Sequence, residues 1–193
     1  MLARALVGLF GSVWTLKALC FTSHSAVVRR IARLCYSFYQ YENCSSIAWN
    51  SKFDGEPCFP HGMKSIFISG DAKIGMNCLI FQQVTIGSNS ILGSSGLGAP
   101  TIGDRCYIGA GAKVIGHITI GSNVRIGANA VVYKDVPDNC VVLSDEQKSL
   151  QRDFPLDNRF FSHRDCWSYF DDGRWLPVID SSVIAELNNG FRK

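Results

Sequence analysis

A mainly β chain, wound as a parallel β-helix of six-residue repeats, is the fold this sequence predicts. Three observations point to it. Ile68, Ile74, Ile80 and Ile86 stand six residues apart, and so do Ile102, Ile108, Val114, Ile120, Ile126 and Val132. Glycine follows the aliphatic residue at Gly75, Gly87, Gly103, Gly109, Gly121 and Gly127. Four positions after the aliphatic residue comes a small or β-branched one: Ala72, Cys78, Val84, Cys106, Ala112, Ile118, Val124 or Ala130.

A period of six fits neither a helix nor simple strand alternation. It requires a short strand, a tight turn and a second inward-facing position in each repeat. Three such units close a triangular coil of about eighteen residues, and stacked coils line up the aliphatic residues in internal columns. One repeat cannot bury its apolar face alone, but a stack can. Glycine or Asn/Asp after the strand is expected to supply the backbone conformation of the turn.

The flanks follow other rules. Leu2, Leu6, Leu9, Val13, Leu16 and Cys20 recur at alternating spacings of four and three, one stripe of a helix. Val27, Ile31, Leu34 and Phe38 make the stripe of a second helix over about 25–39, capped by Ser23 or Ser25. Residues 1–44 are therefore expected to form a helical hairpin for packing or oligomerisation, with peripheral membrane contact as the alternative. Lys17 interrupts the first apolar run and no small-residue cleavage site follows, so neither a signal peptide nor a membrane span is expected. The expected location is the cytoplasm, with the inner face of the membrane as a variant of it.

The β-helix should occupy 45–143. A Gly/Ser-rich segment, 88–100, leaves the six-residue register and reads as a binding loop extruded from a rigid stack, with a tolerated surface insertion as the alternative. A polar run, Ser144–Lys148, then leads into an aromatic tail over 144–193 containing Phe160, Phe161, Trp167, Tyr169, Phe170 and Trp175. The tail is expected to be irregular and to pack on the stack or a neighbouring subunit.

Composition narrows the function. The 193 residues suffice for one core, and a net charge of +3 does not argue for nucleic acid. A phosphate-bearing cofactor would satisfy so weak an anion preference. The eight cysteines include no C-x-x-C pair, so reduced and mostly buried thiols are expected. Only His61 and His117 fall near the repeats, so no metal site is expected.

Five segments carry a resemblance. They are Phe59-Pro60-His61-Gly62, Ile66-Phe67-Ile68-Ser69, Ile80–Gly87, Pro100–Gly103 and Tyr107–Gly116. Together they resemble the hexapeptide-repeat acetyltransferases, in the serine acetyltransferase-like branch that also contains bacterial sugar and polysaccharide O-acetyltransferases. The resemblance covers about 45–140. It implies a left-handed parallel β-helix, a homotrimer or dimer of trimers, and acetyl-CoA bound in the groove between neighbouring stacks. It also implies that His61 is the general base. The chemistry agrees, because an alcohol attacks a thioester poorly until a base takes its proton, and imidazole, with a reference pKa of about 6.5, suits that task. Gln82 and Gln83 are candidate donors to the oxyanion, with ordinary outward-facing positions as the alternative. Position by position, Ala110 and Ala128 match turns that meet the pantetheine arm, and Gly87 is a further cofactor-contact candidate. Lys134 and Arg125 are candidates for the CoA phosphates.

The departures from the resemblance concern the acceptor. Ser46 stands where serine acetyltransferases carry the Asp that orients the histidine; Asp54, Glu56 or a neighbouring subunit could replace it. Pro60 replaces an Asp, and Gly98-Ala99 replace the Arg-His that helps to hold serine. Loss of charged partners points to a neutral, hydroxyl-rich acceptor such as a capsule, O-antigen or exopolysaccharide sugar; for Trp167 and Trp175 core packing of the tail is the favoured reading and a sugar-stacking surface the alternative. Serine O-acetylation, a non-catalytic scaffold and nucleotide-sugar N-acetylation are the alternatives.

Overall fold

The computed structural model describes residues 2–94, 96–143, 160–163, 165–171 and 174–191. Short parallel strands form three sheets, one on each side of a triangular prism. The first sheet contains Ser46–Ile47 (β1), Phe67–Ile68 (β3), Thr85–Gly87 (β6), Lys113–Ile115 (β9) and Val131–Val132 (β12). The second contains Lys52–Phe53 (β2), Lys73–Ile74 (β4), Thr101–Ile102 (β7) and Thr119–Ile120 (β10). The third contains Leu79–Ile80 (β5), Tyr107–Ile108 (β8), Arg125–Ile126 (β11) and Val141–Val142 (β13). Equivalent aliphatics face one another across coils: Ile68 pairs with Ile86, Ile74 with Ile102 and Ile80 with Ile108. These columns and the smaller column of Ala72, Cys78, Val84, Cys106, Ala112 and Ala130 form one buried core. The fold is the parallel β-helix of hexapeptide repeats that the periodicity predicts, with the left hand that the resemblance implies.

The role of the glycines differs from the expectation. The left-handed corner positions are taken by Ser65, Asn77, Gln83, Arg105, Asn123, Asn129 and Asn139, and by Gly111. The glycines after the aliphatic residues serve close approach instead. A Cβ on Gly109 would lie 2.7 Å from the Ala128 nitrogen, in the backbone of the next coil. That contact is tighter than a strand spacing of about 4.8 Å can absorb.

The N-terminal segment is three helices, not two: Leu2–Gly8 (α1), Val13–Thr22 (α2) and Ala26–Glu42 (α3). The single stripe expected through Leu9 breaks because Gly11 turns at φ +86 and Ser12 caps α2, its Oγ accepting from the Thr15 N–H. Leu9 is consequently exposed. The stripe of α3 is corrected as well. Val27, Ile31 and Leu34 face outward, and the buried face is Ala32, Tyr36 and Gln40.

That inversion has a physical cause. The first coil has no coil beneath it, so its backbone groups need other partners. Tyr36 Oη donates to the Ile47 carbonyl at 2.9 Å, and Gln40 Oε1 accepts from the Ile47 N–H at 3.1 Å. Lys17 Nζ donates to the carbonyls of Trp49, at 3.0 Å, and Ser51, at 2.5 Å. The helices thus cap the open end of the stack with polar atoms. Removing one such donor, Tyr36→Phe, is expected to cost roughly 1–3 kcal/mol by stranding a buried carbonyl. A lower urea midpoint at unchanged slope would register this.

The C-terminal extension carries regular elements. Phe160–His163 (β14), Trp167–Asp171 (β15) and Arg174–Pro177 (β16) form an antiparallel sheet, followed by the helix Ser181–Gly190 (α4). Phe161, Trp167 and Leu187 build a second small core against Leu92 and Leu97 of the extruded loop. Trp167 is buried and its Nε1 donates to Asn188 Oδ1, so it serves this core; Trp175 remains exposed. The Ser144–Lys148 run lies outside the described residues.

All eight cysteines are free. Their burial is lower than expected: Cys20, Cys78 and Cys106 are buried, whereas Cys44, Cys58 and Cys166 are exposed. The repeat buries only the thiols on its inner column.

Candidate active site

His61 sits at the tip of a turn closed by the Gly62 N–H donating to the Phe59 carbonyl at 3.0 Å, with Gly62 at φ +72. Proline at position 60 and glycine at 62 are the residues such a turn favours. The imidazole is exposed and packs against Phe81, ring centres 5.8 Å apart. It opens on a cavity of about 500 Å³ lined by His61, Lys64, Ser65, Gln82 and Gln83.

The cavity lies on one edge of the prism, and backbone hydrogen bonds trace that edge from coil to coil. The Gln83 N–H donates to the Lys64 carbonyl at 3.3 Å, Gly111 to Gln82 at 3.0 Å, and Asn129 to Ala110 at 2.9 Å. His61, Gln82, Gln83, Ala110 and Ala128 therefore share one edge. Gln82 Oε1 is buried on it without a hydrogen-bond partner, and a half-turn of the amide would present its NH₂ group instead. Gln83 occupies the left-handed corner position and its side chain is exposed. Its carbonyl accepts from Lys113 Nζ at 2.8 Å.

The remaining cofactor candidates divide. Arg125 lies on the adjacent face, its guanidinium 5.9 Å from the centre of the Tyr107 ring, which in turn lies 5.0 Å from Phe81. His61, Phe81, Tyr107 and Arg125 thus form a ladder beside the edge. Gly87 and Lys134 are not brought to this edge. Gly87 lies at the root of the extruded loop, its carbonyl accepting from Gly116, and Lys134 follows β12 at a different corner, over Tyr133.

The sequence reading missed Lys64, Ser65, Phe81 and Tyr107. Strand alternation could have found the two aromatics, since residues on either side of an inward isoleucine point outward. The acid that would orient His61 is not among the residues lining its cavity. Glu56 lines a groove beside α2 instead, and Ser46 is an exposed residue of β1.

The loop bears on the acceptor. Asn89 and Gly98 exchange backbone hydrogen bonds of 2.8 and 2.9 Å, closing its neck. Gly98 has φ +127, and a Cβ there would collide with the Gly190 carbonyl at the end of α4 and with the His117 side chain. Helix α4 thus fills the space a side chain at position 98 would need. Among the described residues no cluster of His, Cys, Asp and Glu could hold a metal ion, and no helix is long and apolar enough to cross a membrane.

Comparisons agree with this architecture. Residues 99–134 match the bacterial transferase hexapeptide (six repeats) family. No curated protein matches the sequence. Among solved structures, serine acetyltransferase isoform 3 from Entamoeba histolytica in complex with cysteine is 29% identical, with a TM-score of 0.57, over 74% of this chain and 50% of that one. Neisseria gonorrhoeae serine acetyltransferase in complex with serine is 25% identical, with a TM-score of 0.58, over 71% and 55%. Soybean serine acetyltransferase complexed with serine is 29% identical, with a TM-score of 0.56, over 67% and 50%. The chain spans about half the length of the structures it matches. It is a hexapeptide-repeat left-handed β-helix, similar over 67–74% of its length to these serine acetyltransferases.

Proposed function

We propose that this chain is an acetyl-CoA-dependent O-acetyltransferase in which His61 is the general base. The observation that carries this reading is the shared edge: an exposed imidazole on a rigid turn, the half-buried Gln82 lining the same cavity, and small residues Ala110 and Ala128 continuing along the stack. His61 takes the proton of the acceptor hydroxyl as its oxygen attacks the thioester carbonyl. The Gln82 amide and turn N–H groups donate to the tetrahedral oxyanion, which collapses and expels the CoA thiolate. The pantetheine arm follows the backbone at Ala110 and Ala128, with Arg125 toward the phosphates. The chain works as a homotrimer, with a carboxylate from a second copy orienting His61.

For the acceptor, the comparisons favour L-serine over a saccharide, because the similar structures are serine acetyltransferases and two of those cited hold serine. Lys64 in the His61 cavity is a cation able to take the serine carboxylate. One observation favours a saccharide as the second reading. Where the serine enzymes carry an arginine, Gly98 and the end of α4 leave no room for a side chain. A cleft of about 680 Å³ between the stack and the C-terminal sheet, lined by Ser69, Asp71, Ser88, His163 and Trp167, offers hydroxyl and aromatic groups instead.

A thiol-release assay with acetyl-CoA, run against L-serine and a panel of oligosaccharides, separates the readings. Turnover with serine alone supports the first, and turnover with an oligosaccharide alone supports the second. Acetylation of an amine rather than a hydroxyl overturns both. No transfer to any acceptor favours a scaffold.

A further inference from the structure

A third cavity differs from these two in character. It is a groove of about 520 Å³ between α2 and the first coil. That volume falls within the range of about 300–1,000 Å³ typical of small-molecule sites. Its walls are aromatic, made by Trp14, Phe21, Trp49 and Phe53, and Lys17 is among its lining residues. Lys17 is 6% exposed. An ammonium has three donors. Two go to the carbonyls of Trp49 and Ser51, and the ring of Phe53 lies 5.1 Å away. No carboxylate pairs with Lys17 among the described residues. Two carbonyls and a ring face offset only part of the cost of burying a cation that has no counter-charge.

We infer that this groove binds a small apolar carboxylate, its acyl or aryl body against the aromatic walls and its carboxylate on Lys17. The site is separate from the His61 cavity and independent of the proposed transfer reaction. Charge complementarity selects the headgroup, because an anion supplies the missing counter-charge and a third acceptor. A neutral amide supplies only the acceptor.

The charge state of Lys17 supports this. Burial pushes its pKa down to about 8, against a smaller upward effect from Cys20. The folded chain therefore binds this proton less tightly than the unfolded chain. Below about pH 8 the residue costs stability, and the cost fades as pH rises toward the unfolded lysine value of about 10.4. A bound carboxylate would remove the cost and raise the pKa again. The other titratable or charged groups facing Lys17 are Cys20 on α2, Arg33 of α3, which lies over Trp49, and Lys52 and Glu56 of the first coil.

Octanoate and octanamide form a matched pair of probes, titrated into the full chain by calorimetry. At neutral pH octanoate is expected to bind roughly tenfold or more tightly than octanamide. The preference should vanish near pH 11, where the ammonium is neutral even if the ligand has raised its pKa. In Lys17→Met the preference should be lost while octanamide binding persists. Should that variant fail to fold, Phe21→Ser, at an exposed position on the groove wall, is expected to weaken both probes with acetyl transfer unchanged. Equal affinity for the two probes, a preference that survives at pH 11, or no heat from either at millimolar concentration would overturn the inference.

Discussion

Replacing His61 with alanine is expected to lower kcat for acetyl transfer by about 10²- to 10⁴-fold, the usual contribution of a positioned general base. The KM for acetyl-CoA should stay close to wild type, since the ring meets the acceptor hydroxyl and not the cofactor arm. Thermal stability should not change. His61 is exposed, its one ring contact among the described residues is with Phe81, and the turn that carries it is held by the Phe59–Gly62 backbone bond. A surface substitution of that kind shifts stability by no more than about 0.5 kcal/mol. The measurement is steady-state kinetics with whichever acceptor the screen identifies, paired with a melting curve. A variant that keeps full kcat would remove the base from His61. A variant that loses activity only by melting would show that the turn, not the imidazole, had been tested.

The stack was legible because its cause is periodic. Every buried isoleucine in the columns is fixed by its neighbours six residues away and one coil away. The ends were less legible because their logic is not periodic. In α3 the apolar positions Val27, Ile31 and Leu34 look like the buried stripe, yet Tyr36 and Gln40 face inward. Backbone groups of the first coil demand polar partners, and that demand is invisible until the coil is built. The glycines were found for the wrong reason. Their positions follow from the close approach of the next coil, which depends on stacking and not on local turn chemistry. At the site, His61 stood out through Pro60 and Gly62, and the edge shared with Gln82, Ala110 and Ala128 followed from the repeat register. Which corner Gly87 and Lys134 occupy was not legible, because a six-residue period does not by itself say which of three corners a turn takes.

The largest stability effect is expected from Ile108→Ala, at a cost of about 2–5 kcal/mol. Ile108 is fully buried, and it sits between Ile80 in one coil and Ile126 in the next, so the cavity left behind has walls on both sides that cannot collapse without breaking register. Strand β8 also carries Tyr107 on its outer face and leads into the turn that holds Ala110. Loosening it should therefore raise amide exchange at Gly109 and Gly111 before global unfolding. Val131→Ala is the informative contrast. Val131 is 59% exposed on the outer face of β12, and in an isolated chain its truncation should cost no more than about 0.5 kcal/mol. Chemical denaturation of both variants, followed across protein concentration, gives the comparison its force. A large cost at Val131 that grows with concentration would mean that the outer face of β12 is buried between copies. A small, concentration-independent cost would leave that face to solvent. In the second case a neighbouring copy could not approach along that face to bring a carboxylate to His61.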